Sequence, residues 1–179
     1  MCRKRKGLTL VEIVVVLIII VIVTLGFGSS ASKQVKRTNR DTVVNEMQIL
    51  ASNFSDAYYD LGNPVYDPNT QEGLNQFKNF LNILSNDYIN YTFDMSTLTP
   101  TNDKRGFFVK VSEPKDAWEQ EYCCWFITGD FNGRYVMISS GGDDGIVGNG
   151  GTIVPNIDCY KNNEYKDDVV LIVRPKAKV

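Results

Sequence analysis

Histidine is missing from the chain altogether. Its absence removes the Ser-His-Asp and Cys-His arrangements that activate a hydroxyl or thiol nucleophile, and it leaves a zinc site without the imidazole that mixed ligand sets use. Surplus positive charge is lacking too: 19 Lys and Arg stand against 21 Asp and Glu. Four of the bases, Arg3, Lys4, Arg5 and Lys6, crowd the first six positions, and without them the chain has a net charge of −6. Such an acidic body offers no electrostatic footprint for a phosphate backbone, so nucleic acid is not an expected partner. The glycine-rich run Ser139–Gly151 is no phosphate loop, because the Lys-Ser/Thr ending is missing and no helix pattern follows. It also lacks the acidic spacing of an EF-hand. With nothing arranged for nucleophilic or acid–base work, the chain is not expected to be an enzyme.

Polar side chains are equally scarce between residues 8 and 28, where only Thr9, Glu12 and Thr24 interrupt an apolar run. Twenty-one helical residues at about 1.5 Å each span roughly 31 Å, the thickness of a bilayer core. The basic residues ahead of the run predict a cytoplasmic N-terminus and an exported C-terminal part. Glu12 is the anomaly, since an acidic residue at the centre of a span costs on the order of 2.5–3.5 kcal/mol on insertion scales. A secretory signal peptide cleaved near Ser29-Ser30-Ala31 would have a shorter apolar region and no carboxylate. A plain membrane anchor leaves the glutamate unexplained.

The order Lys6-Gly7-Leu8-Thr9-Leu10-Val11-Glu12 resembles the type IV prepilin motif. The resemblance implies that residues 1–7 are a leader, cut between Gly7 and Leu8 by a prepilin peptidase/N-methyltransferase that also methylates the new Leu8 terminus. Glu12 then becomes the fifth mature residue. In a filament it would lie near the α-amine of a neighbouring subunit, and an opposite charge at low dielectric offsets desolvation when the pair is well placed. The resemblance also implies self-association with other pilins, an assembly ATPase and an inner-membrane platform protein. The expected location is single-pass in the inner membrane with the C-terminus outside, then an extracellular pilus or a periplasmic or cell-wall pseudopilus. One departure is visible. Many pilins place a proline about two-thirds along this helix, whereas residues 26–30 here read Gly-Phe-Gly-Ser-Ser. Each glycine lowers helix propensity by about 1 kcal/mol relative to alanine, which favours local unwinding.

Beyond the span, Val43, Met47, Leu50, Phe54, Ala57 and Leu61 recur every three or four residues. This spacing predicts that residues 29–61 continue the transmembrane helix of residues 8–28 as an amphipathic half, stopped by Gly62-Asn63-Pro64. Leu74, Phe77, Leu81 and Leu84 mark one face of a second helix. Apolar or alternating runs at 106–111, 121–128, 134–140 and 167–173 predict strands, with Gly129–Gly133 as a hairpin loop. Residues 62–179 are thus expected to form a globular head. The pattern predicts an α+β arrangement, a long N-terminal helix packed on a small antiparallel sheet, and the prepilin resemblance implies that this is a type IV pilin-like fold.

Three segments of the head resemble the major pseudopilins of type II secretion systems. They are NTQEGLNQF (69–77), EPKDAWEQEY (113–122) and ISSGGDDG (138–145), the second with Ala117 and Glu119 where that family has proline and glycine. The resemblance implies a structural calcium ion on the glycine-rich loop, held by backbone carbonyls and by Asp143 with Asp167 or Asp168. The segment between those acids, which contains Cys159, is longer here than in the family. Of four cysteines, Cys2 lies in the leader. Export would permit a disulfide from Cys159 to Cys123 or Cys124, closing a loop of about 35 residues. Adjacent strand residues face opposite ways, so only one of that pair can readily meet Cys159.

Overall fold

The structure, a computed structural model, describes residues 10–101, 106–127, 135–147 and 168–173, with residues 25–30 and 135 as backbone only. It divides into two compact units, Met1–Thr38 and Asn39–Val179. The first helix, α1 (Leu10–Asp60), begins in the first unit and ends in the second.

In the first unit every apolar side chain from Leu10 to Val23 is at least 45 % exposed. Polar groups in this stretch satisfy themselves on their own helix: Thr24 Oγ1 donates to the Ile20 and Val21 carbonyls, and Thr38 Oγ1 to that of Gln34. The backbone stays helical through Gly26–Ser30. An interior residue of a formed helix keeps its hydrogen bonds on both sides, and cooperativity outweighs a propensity loss of about 1 kcal/mol.

In the second unit the predicted stripe is the core face of α1. Val43, Met47, Leu50, Phe54 and Ala57 are buried, whereas Leu61 is 42 % exposed because the helix has already ended at Asp60. Helix α2 (Gln71–Ile83) starts at Thr70, whose hydroxyl accepts the Gly73 amide at 3.0 Å, an N-cap worth about 1 kcal/mol. Gly73 has no substitute there: a Cβ would sit 2.0 Å from the Asp67 carbonyl oxygen. A single π-helical turn, Leu84–Tyr88, follows.

Five described strands make one antiparallel sheet in chain order: β1 (Thr92–Pro100), β2 (Gly106–Glu113), β3 (Tyr122–Ile127), β4 (Tyr135–Ser140) and β5 (Val169–Val173). Alternation along the strands gives the sheet two apolar faces. The inner face, with Phe107, Val109, Tyr122, Cys124, Phe126 and Ile138, packs on α1 and α2. Phe126 meets Phe54 of α1 at 4.8 Å between ring centres and Phe77 of α2 at 5.0 Å. The outer face, with Cys123, Trp125, Ile127 and Met137, forms a smaller cluster that includes Val147 from beyond β4. All six residues of β3 are consequently buried. This is an α+β arrangement consistent with the type IV pilin-like fold.

Candidate functional site

At the N-terminus, Glu12 is exposed in the first described turn of α1. A carboxylate is favoured there by the helix dipole. Gly7 and Leu8 lie outside the described residues, so the cleavage junction has no geometry to compare.

In the head, the segments singled out by sequence converge on one corner. Asp116, between β2 and β3, is only 3 % exposed. Its Oδ1 accepts the amides of Trp118 at 2.9 Å and Gln120 at 2.8 Å, and its Oδ2 accepts the Ser140 hydroxyl. Ser140 Oγ in turn accepts the Gly142 amide. The carboxylate thereby joins the β2–β3 loop to the turn Gly142–Gly145 that follows β4. That turn has left-handed backbone at Gly142 (φ 61°) and Gly145 (φ 71°), the region glycine occupies without penalty. Glu119 is left-handed as well, at φ 63°. This is the position where the resembling family has glycine, and here an L-residue accepts the strain. No motif in the sequence assigns Asp116 a role. An aspartate followed by turn residues was the available signal, because its carboxylate can take amides two and four residues ahead.

Of the three acids proposed for calcium, two fall among the described residues. Asp143 is exposed on the turn, Asp168 is 6 % exposed ahead of β5, and Asp167 lies outside the described residues. Among the described residues no group of three or more His, Cys, Asp or Glu side chains is placed to hold a metal ion. Ca²⁺ takes backbone carbonyls as readily as carboxylates, so a turn of this kind remains compatible with one. Nearby, the Ser139 hydroxyl is fully buried on the outer face with no hydrogen-bond partner among the described residues.

Cys123 and Cys124 are both buried free thiols on opposite faces of β3. Burial pushes the Cys123 thiol up to about 11, against the opposing pull of Lys110, and raises Cys124 as well. Cys159 lies outside the described residues, and no cysteine pair is found among the described ones. The expected bridge therefore falls outside the described residues.

A contact missed by the sequence reading joins α1 to the sheet. The buried Tyr122 phenol donates to the Glu46 carboxylate, and Tyr91 donates to the Glu46 carbonyl at 3.2 Å. Burial is the first cause that raises the Tyr122 phenol, and the Glu46 hydrogen bond adds to it.

Comparison with known families bears on the N-terminus. Residues 2–28 match the model of the prokaryotic N-terminal methylation motif. The chain has a prepilin-like N-terminus. No curated protein and no solved structure matches it, so the pseudopilin-like segments of the head have no independent support. The motif implies processing by a prepilin peptidase and assembly with other pilins. Among the described residues no helix is long and apolar enough to cross a membrane. The span expected over 8–28 includes residues 8 and 9, outside the described set, and 25–28, described as backbone only.

Proposed function

We propose that this chain is a structural subunit, not an enzyme, which enters the inner membrane as a prepilin, loses residues 1–7, is methylated at Leu8 and polymerises into a type IV pilus filament. The observation that carries the reading is the methylation motif over residues 2–28, continued by α1 with its exposed apolar side chains from Leu10 to Val23. An apolar helix of that kind needs either lipid or other helices around it. Before assembly the bilayer supplies the first, with residues 8–28 as the span. In the filament, neighbouring α1 helices supply the second. Glu12 stabilises the polymer by facing a neighbour's methylated amine, an opposite charge at low dielectric. An assembly ATPase and a membrane platform protein complete the machine.

A second reading, a pseudopilin of a type II secretion or DNA-uptake machine, is favoured by the segments at 69–77, 113–122 and 138–145. Their roles are physical: Thr70 caps α2, Gly73 admits the Asp67 carbonyl, and Asp116 ties two loops together. The same reading includes a Ca²⁺ ion on the turn with Asp143, and with Asp167 or Asp168, as ligands. A third, an anchored exported domain that never polymerises, is separated from both by Glu12→Val. Polymerisation predicts that this variant inserts normally and is still cleaved, but yields few filaments by electron microscopy of sheared cell-surface or periplasmic fractions. Wild-type filament yield from Glu12→Val would remove the charge-pair mechanism, and a wild-type chain that is processed yet never found in filaments would remove the reading.

A further inference from the structure

Charge is segregated along this chain. No acid occurs between Glu12 and Asp41, whereas Lys33, Lys36, Arg37 and Arg40 fall within eight residues. Their spacing of three, four and seven places all four on one side of α1, and all four are exposed. Like charges at these spacings cost a few tenths of a kcal/mol per pair. From residue 41 onward the balance reverses, with 20 acidic and 11 basic residues.

The acids are locally concentrated as well. Asp56 and Asp60 lie four residues apart on α1, and Asp87 lies on the π-helical turn; all three are exposed. They surround Tyr88, whose phenol donates to Asp60 Oδ2 at 2.9 Å. That hydrogen bond, followed by burial and then the charges of Asp60, Asp87 and Asp56, raises the phenol above its ordinary range. Arg40 and Asp56 are sixteen residues apart on one helix, about 24 Å at 1.5 Å per residue, so Arg40 cannot reach the cluster within its own copy.

We infer that the stripe Lys33, Lys36, Arg37 and Arg40 seats on the Asp56, Asp60 and Asp87 cluster of a second copy of this chain. The inference rests on the polymerisation reading and names a contact within it. Each copy offers its stripe to one neighbour and its cluster to another. Such a heterologous contact need not close and then generates an open helical polymer. Anionic lipid is the other surface with suitable chemistry for the stripe, but it would leave the acidic cluster with no counterpart.

The test uses the full-length chain, expressed with the prepilin-processing and assembly machinery, and counts filaments. Arg37→Glu with Arg40→Glu should lower filament yield at least tenfold, while membrane insertion and leader cleavage stay at wild-type level. Asp56→Lys with Asp87→Lys should do the same, and combining the four substitutions should restore at least half of the wild-type yield. Filaments sheared into 1 M salt should dissociate faster than in 0.1 M, because the screening length falls from about 10 Å to about 3 Å. Wild-type yield from either double variant overturns the contact and leaves polymerisation intact. Loss without recovery in the combined chain also overturns it. If the unprocessed chain's binding to phosphatidylglycerol vesicles is then weakened by Arg37→Glu with Arg40→Glu, the stripe is a lipid contact instead. Absence of filaments from the wild-type chain refutes polymerisation itself, and the contact falls with it.

Discussion

Replacing Asp116 with alanine removes the acceptor of three hydrogen bonds at once: two backbone amides and the Ser140 hydroxyl. A hydrogen bond to a charged group contributes about 1.5–3 kcal/mol, and a buried donor left without a partner costs about 1–3 kcal/mol. The Ser140 side is buried and cannot turn to water, whereas the Trp118 and Gln120 amides are part-buried and recover some hydration. The total should therefore be on the order of 3–5 kcal/mol, below the sum of three independent losses. A domain of 150–250 residues loses about 2–4 °C per kcal/mol, so the melting temperature should fall by on the order of 10 °C. Two variants calibrate the result. Asp116→Asn keeps an oxygen for the two amides and can donate to Ser140 Oγ, so it should cost about 1 kcal/mol. Ser140→Ala loses one bond and should fall between the other two. The assay is urea unfolding of the compact unit, residues 39–179, followed by tryptophan fluorescence and by circular dichroism. An Asp116→Ala variant within about 0.5 kcal/mol of wild type, the range of ordinary surface changes, would show that the carboxylate does not hold the two loops together.

Other outcomes follow from the same geometry. Glu119→Gly relieves a left-handed backbone that costs an L-residue about 1–2 kcal/mol and adds about 0.5–1 kcal/mol of chain entropy to be lost. It should be neutral or stabilising by up to about 1 kcal/mol in urea unfolding, whereas Glu119→Val should destabilise. Stability should also decline at alkaline pH. Cys123 and Cys124 hold their protons in the folded chain above the unfolded thiol value near 8.5. Their contribution is complete below about pH 8.5, the unfolded value, and Cys123's is lost as pH rises toward about 11. Above pH 8.5 the unfolded chain binds fewer protons, which lowers the free energy of unfolding. Replacing Cys123 with serine should remove part of this slope, and an unchanged slope would contradict the assignment. If Ca²⁺ binds the turn at 142–145, millimolar Ca²⁺ should raise the melting temperature of metal-free unit by several degrees, about 2.7 kcal/mol at a hundredfold excess over Kd. Mg²⁺ should do little, and Asp143→Ala should abolish the gain; superimposed curves with Ca²⁺ and chelator would remove the ion.

Helical periodicity was the most legible signal. The stripe from Val43 to Ala57 is buried as its spacing predicts, as are Phe77 and Leu81 of α2 and Leu84 of the π-helical turn, while Leu74 is half-buried, because burial of one face is what the 3.6-residue period encodes. Strands β2 to β5 were legible from apolar runs for the same reason. Strand β1 was not. Its sequence, Thr-Phe-Asp-Met-Ser-Thr-Leu-Thr-Pro, breaks alternation at Asp94, whose carboxylate takes the Ser96 amide while the Thr97 hydroxyl donates to its carbonyl. These local bonds accompany a register irregularity between Asp94 and Thr99, and a bulged strand at the end of a sheet obscures its period. The π-helical turn after α2 had no sequence signal. Asp116 and the Glu46–Tyr122 contact were also hidden. Ser140, the long-range partner of Asp116, lies 24 positions away and Glu46 lies 76 from Tyr122, and periodicity carries no information about such pairs. By contrast, the methylation motif over residues 2–28 is readable without any structure, since it is written in local sequence.

Whether the chain is processed as a prepilin is decided by intact mass spectrometry of the protein recovered from cells with a prepilin peptidase. The account predicts a species that begins at Leu8 and carries one additional methyl group on its α-amine, confirmed by fragmentation of the N-terminal peptide, and a precursor that stays full-length when Gly7 is replaced by a bulky residue. A mature chain that keeps residues 1–7, or one that begins after Ala31, would contradict it.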